Sequence, residues 1–295
     1  MSATVMVTGA SSQLGVFLLP RLQAAGFSIQ AMSRKVTAGP VKVSGAVQWC
    51  SADTRAAPAG VDALVSCGPL SLAVELAGQS KSIQRLVAFS TTSVLSKADS
   101  GNRAESRQMI SLLADEKRLQ AVCNQRGISL LLLRPTLIYG CGLDQNISLL
   151  ARFGKRFGFI PVAGKAAGLR QPVHADDLAA LAVNALLIEP AADLASAAGG
   201  GSTLTYREMV HRLAASLPGV RPVSIPAGVF GAVAALASLL PGFRGVNAEM
   251  VRRQATDLVF DDHAVRVALD YDPRPFRPGP ADFSVPAEAG KLQLG

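Results

Sequence analysis

Within the first 140 residues, apolar runs alternate with stretches of helical patterning: TVMVTG, FSIQAMS, ALVSCG, RLVAFST and ISLLLLRPTLIYG. Strands that alternate with helices and read as near-continuous apolar runs belong to a parallel sheet buried on both faces. The fold class expected is therefore α/β, a doubly wound parallel sheet of Rossmann type, with the more loosely patterned second part of the chain packed on it as a smaller lid. Right-handed crossovers bring the carboxyl ends of all strands to one edge. GASSQLG, SRK, CGP, STTS and RPT fall at that edge, so ligand chemistry is expected to gather there.

A chain of 295 residues, 49% hydrophobic and 17% charged, can bury a full core without disulfides or metal. Cys50, Cys67, Cys123 and Cys141 lie far apart with no Cys-x-x-Cys pair, which predicts reduced thiols, a cytoplasmic location and no metal site. Strand-like sequence begins within a few residues of Met1, without a basic leader, so no targeting peptide is expected. The net charge of +8 would suit an anionic partner. Because the arginines are scattered and aromatics make up only 5%, nucleic acid is disfavoured and a phosphorylated small molecule fits better.

After Tyr139 the alternation loosens into a glycine- and proline-spotted stretch, a return helix near Asp176 and a helical tail. This divides the chain into a dinucleotide-binding part, 1–140 and 171–196, and a lid, 141–170 and 197–295. The apolar segment 225–242 is bounded by Pro226 and Pro241, too short for a membrane span of about 20 residues. It reads as a helix packed on protein, or as an interfacial or partner-binding helix, the partner being another protein or a second copy of the chain.

In VTGASSQLG a strand runs into a glycine turn and a helix N-terminus, where free N–H groups and the helix dipole favour phosphate. Gly9 permits the tight turn, and Gly15 lets the helix sit close. Ser12 stands where a glycine usually approaches a pyrophosphate, with Gln13 and Leu14 opening the helix. Pro20 should kink that helix. The acidic residue that binds the ribose of NAD about 20 positions on is missing, since Asp53 is the first acid in the chain. Ser33, Arg34 and Lys35 occupy that place, so NADP is expected over NAD.

TGASSQLG, SADT at 51–54, FSTTSV at 89–94, LRPTLIYG at 133–140, LRQPVHADDLA at 169–179 and PRPF at 273–276 together resemble the extended short-chain dehydrogenase/reductase family, which includes nucleotide-sugar epimerases and dehydratases. The resemblance covers most of the chain. It implies that Asp53 and Thr54 approach the adenine, that Cys67 and Gly68 line the cofactor, and that Thr91 hydrogen-bonds the substrate. It also implies that Arg170 holds the diphosphate of a sugar nucleotide; otherwise Arg170 is a surface loop residue.

The family's Tyr-x-x-x-Lys pair, in which lysine lowers a phenol's pKa for proton exchange, is missing. Four positions beyond Tyr139, Tyr206 and Tyr271 stand Leu143, Val210 and Pro275. In SRQMISLLADEKRLQAV, Lys117 is kept and Leu113 stands where tyrosine belongs. Lys117 would hold the nicotinamide ribose or be solvated beside an apolar stripe. Leu137 replaces an asparagine that binds phosphate in nucleotide-sugar enzymes. Tyr139 reads as structural, Asp115 and Glu116 as solvated helix acids, and His174 and Asp176 as a hydrogen bond and a helix cap. Two functions follow: an atypical epimerase, dehydratase or reductase acting through Thr91 and Lys117 on a carbonyl or hydroxyl small molecule, a nucleotide sugar among the candidates, or a catalytically silent NADP(H)-binding redox sensor or assembly protein.

Overall fold

The computed structural model describes residues 3–34, 47–54, 59–96, 103–189, 191, 193–226, 229 and 253–284. Lys35 and nearly all of the apolar segment 225–242 lie outside them, as does the side chain of Thr54. The strands are β1 (Thr4–Thr8), β2 (Ser28–Ser33), β3 (Val47–Ser51), β4 (Ala63–Ser66), β5 (Arg85–Phe89), β6 (Ser129–Pro135), β7 (Leu137–Tyr139), β8 (Phe159–Ala163), β9 (Leu169–Arg170), β10 (Pro172–His174), β11 (Leu194–Ala198), β12 (Leu204–Thr205) and β13 (Arg221–Ile225). The helices are α1 (Gln13–Ala24), α2 (Leu70–Gln79), α3 (Ser93–Ser96), α4 (Arg103–Arg126), α5 (Ile147–Phe157), α6 (Ala175–Leu187), α7 (Tyr206–Ala215) and α8 (His263–Leu269).

Seven strands form one parallel sheet in the order β11-β6-β5-β4-β1-β2-β3. Side chains alternate across a strand, and both faces are buried here. Val5 and Val7 of β1 join one core with Val87 and Phe89 of β5 and Leu131 and Leu133 of β6. Met6, Leu64, Leu86, Leu130 and Leu132 join the other. Helices α1 and α6 cover the first face, and α2 and α4 the second. Strand β11 continues the sheet to Ala198, and Val265, Leu269 and Tyr271 from the tail complete the core beneath α6.

A third core joins Tyr139, Ile147, Ile160, Met209, Leu213 and Phe276 beyond the sheet. Arginine–aspartate pairs at the start of α6 tie it to the sheet. Asp176, fully buried, accepts from Arg21 of α1 (2.5 Å) and from Arg274 (2.7 Å), and Arg274 also reaches Asp177 (2.7 Å). The helix cap expected around His174 and Asp176 is made by His174, whose Nδ1 accepts from the Asp176 N–H. Pro20 lies within α1, which runs unbroken from Gln13 to Ala24.

Candidate active site

Strand β1 pairs with β2 on one side and β4 on the other, so the chain leaves β1 where the order of connections reverses, the place where doubly wound sheets bind ligands. Gly9 has φ +63°, in the left-handed region, and a Cβ there would lie 2.5 Å from the Cys67 carbonyl. A Cβ on Gly15 would overlap the Ala10 carbonyl. Both glycines hold the turn against neighbouring backbone, as their sequence positions predict. Ser12 turns inward rather than away: its hydroxyl caps α1 by accepting from the Gly15 N–H at 3.2 Å.

Ser12 satisfies one of the helix's free donors, while among the described residues the backbone N–H groups of Gln13 and Leu14 meet no acceptor. The Gln13 side-chain Nε2 is buried and also lacks a partner. Three unspent donors at one helix N-terminus fit the pyrophosphate of a dinucleotide. Beside them Ser33 ends β2 with its hydroxyl 3.0 Å from that of Ser11, and Arg34 follows, exposed. Asp53 is exposed and accepts from the Ser51 hydroxyl at 3.0 Å. Cys67 follows β4, where burial pushes its thiol up to about 12.

A cavity of about 210 Å³ opens beyond the ends of β5 and β6. It brings together Thr91 and Arg170, which stand 79 positions apart (170 − 91) in the sequence. Thr91 Oγ1 accepts from the Ser93 N–H at 3.1 Å, and its own proton meets no acceptor among the described residues. Arg170 is not a surface loop residue: it is 5% exposed and donates from Nη1 to the carbonyls of Leu169 (2.7 Å) and Thr256 (2.8 Å), and from Nη2 to that of Arg253. Leu137 lines the wall.

Tyr206 also lines this cavity, 5.5 Å from the Arg170 guanidinium, and sequence reasoning missed it. Burial pushes its phenol up to about 12, against the opposing pull of Arg170. The Thr205-x-x-Glu208 capping box marks the start of α7 in the sequence, yet which way the next ring turns depends on the cavity. Ser90 sits at the same edge with a buried hydroxyl that meets no partner among the described residues.

On α4, Lys117 is exposed and Leu113 half-buried one turn earlier. Glu116 is not solvated. It is 4% exposed and paired with Arg134 of β6 through contacts at 2.6, 3.1 and 3.2 Å, because the stripe Met109, Glu116, Leu119 and Cys123 faces inward and only a charged partner makes a carboxylate tolerable there. Asp115 pairs with Arg118 at 3.3 Å. Tyr139 is buried between His174 and Phe276 in edge-on ring contacts, and desolvation raises its phenol far out of the working range.

Solved structures align over nearly the whole chain. A UDP-N-acetylglucosamine 4-epimerase from Bacillus cereus has a TM-score of 0.66 at 16% identity, covering 93% of this chain and 92% of its own. A UDP-glucose 4-epimerase from Thermotoga maritima, solved with UDP-glucose, has a TM-score of 0.67 at 14% identity over 96% and 97%. The fold is that of these epimerases. A dTDP-glucose 4,6-dehydratase from Streptomyces venezuelae, solved with NAD, shares it with a TM-score of 0.66 at 19% identity over 94% of each chain. No family model matches the chain, and no curated protein sequence matches it. None of the described helices is long and apolar enough to cross a membrane.

Proposed function

We propose that the chain is an atypical member of the extended short-chain dehydrogenase/reductase family that binds NADP(H) and acts as an oxidoreductase or epimerase on a carbonyl or hydroxyl compound. The observation that carries this reading is the Gly9 turn: its left-handed backbone sits on Cys67 and Gly68 at the reversal point of the sheet, with open donors at Gln13 and Leu14. Solved relatives of the fold hold NAD together with sugar nucleotides, which supports a dinucleotide in the same place. In this reading Gly9, Ser12, Gln13, Leu14 and Gly15 hold the pyrophosphate, Ser33 and Arg34 the adenine ribose and its 2′-phosphate, and Asp53, Thr54, Cys67 and Gly68 border the rest. Residues 141–170 and much of 197–295 form the lid.

When bound, the dinucleotide supplies hydride chemistry. Thr91 orients the substrate oxygen, and Lys117 reaches the nicotinamide ribose across the exposed face of α4. Leu113 in place of the phenol favours a second reading, a silent dinucleotide-binding sensor or assembly protein.

Fluorescence titration tests the cofactor. NADPH should bind at least about tenfold tighter than NADH, or about 1.4 kcal/mol, and Arg34→Ala should erase the difference. Equal affinities in the unmodified protein would overturn the NADP assignment. Turnover of NADPH with any carbonyl compound would exclude the silent reading.

A further inference from the structure

The cavity beyond β5 and β6 holds two guanidinium groups in different electrical states. Arg253 is ion-paired with Glu105 of α4. Arg170, equally part of the wall, has no carboxylate within ion-pair distance among the described residues. Its neighbours are three backbone carbonyls and the face of Tyr206; Asp257 attracts it from further off, with one carboxylate oxygen already accepting from the Leu169 N–H at 2.8 Å. Two of its five N–H groups, on Nε and Nη2, meet no acceptor among the described residues. A buried guanidinium with unspent donors is costly unless something anionic completes it.

Size and charge together limit what that anion can be. The cavity is about 210 Å³, below the roughly 300–1,000 Å³ of pockets that enclose drug-sized ligands. One buried positive charge with no ion pair among the described residues matches one negative charge, whereas a nucleoside diphosphate brings two. Leu137, Ile147, Leu150, Met209 and Leu258 supply an apolar wall for a carbon chain, and no acidic side chain lines the cavity among the described residues. Thr91 stands in the same cavity with a hydroxyl proton that meets no acceptor among the described residues and can go to a carbonyl or alcohol oxygen.

We propose that the cavity takes a compact oxo or hydroxy acid whose single carboxylate is held by Arg170, rather than a sugar carried on a nucleoside diphosphate. This names the substrate class of the reaction proposed above and rests on that reading. The Tyr206 ring lies 5.5 Å from the guanidinium carbon, and the open Nε and Nη2 donors are left for charge-assisted hydrogen bonds to the carboxylate.

The test is calorimetry on the full chain without dinucleotide, using 2-oxobutanoate, acetoacetate and longer oxo acids up to about six carbons, their methyl esters, and UDP-glucose. At least one acid should bind about tenfold or more tighter than its ester and tighter than UDP-glucose. Arg170→Gln should bring that acid down to the level of the ester. If no acid binds, if the esters match the acids, or if UDP-glucose binds tighter, the proposal is overturned. Should circular dichroism show Arg170→Gln to be unfolded, the comparison of acid with ester on the unmodified chain still decides. NADPH is titrated separately on the same protein. Its failure to bind, with the acid preference intact, would overturn the dinucleotide reading and leave the anion site standing.

Discussion

Gly9 and Cys67 meet backbone to backbone: a Cβ on Gly9 would lie 2.5 Å from both the carbonyl carbon and the oxygen of Cys67, and 2.7 Å from the Gly68 nitrogen. Adjacent parallel strands thus turn away from each other with no room for a side chain between them. Gly9→Ala combines this overlap with a left-handed backbone, which costs an L-residue about 1–2 kcal/mol on its own. The variant should lose at least about 2 kcal/mol of stability in urea unfolding and bind NADPH more weakly than the parent. A parent-like midpoint would mean that the turn relaxes freely.

Leu113 is half-buried and Lys117 exposed one helical turn later on α4. Leu113→Tyr should therefore place a phenol within reach of the lysine cation, which favours the phenolate. Its titration, followed by absorbance, should have a midpoint below the free value of about 10. An unshifted phenol would separate Lys117 from the position the family resemblance gives it.

Glu116 and Arg134 join α4 to β6 through a buried pair at 2.6 Å. Removing one partner of a buried pair typically costs about 3–5 kcal/mol because the other charge is stranded. Arg134 is partly exposed and can rehydrate, so Glu116→Gln should cost about 2–3 kcal/mol in urea unfolding, and less if Arg134 finds water easily. A change under half a unit would assign the pair a purely surface role.

Alkaline pH should weaken the protein in two steps. Burial pushes Cys67 and Cys123 up to about 12 and Cys141 up to about 11, from an ordinary 9.0, and Tyr206 up to about 12 from 10.0. Each group keeps its proton in the folded state at a pH where the unfolded chain loses it. The stability these groups contribute is thus fully present below pH 9 and is lost as pH rises towards 12. Thermal midpoints should fall first through the thiol range and more steeply above pH 10. Tyr206→Phe should remove part of the second fall and none of the first; an unchanged slope above pH 10 would place the phenol in water.

The alternation of apolar runs by itself determined the doubly wound parallel sheet, and the spacing of Gly9 and Gly15 determined the turn that opens α1. Both are local: a strand's side-chain period and a glycine's backbone freedom act over a few residues, so they are written in contiguous sequence. The family resemblance implies substrate roles for Thr91 and Arg170, and the fold brings both to the wall of one cavity.

Only the tertiary structure decided which polar side chains are buried and with whom. Glu116 looked like any solvated helix acid until β6 set Arg134 against it. Arg170 reads in sequence equally as an anion ligand or a surface loop residue; the fold buries it, with the carbonyls of Leu169, Arg253 and Thr256 taking three of its hydrogen bonds and the Tyr206 ring beside it. Arg253 and Thr256 lie more than 80 positions from Arg170, and a partner's identity at such separation is carried by no local period. Desolvation and charge pairing depend on what the folded chain brings within a few ångströms, and that is set by packing.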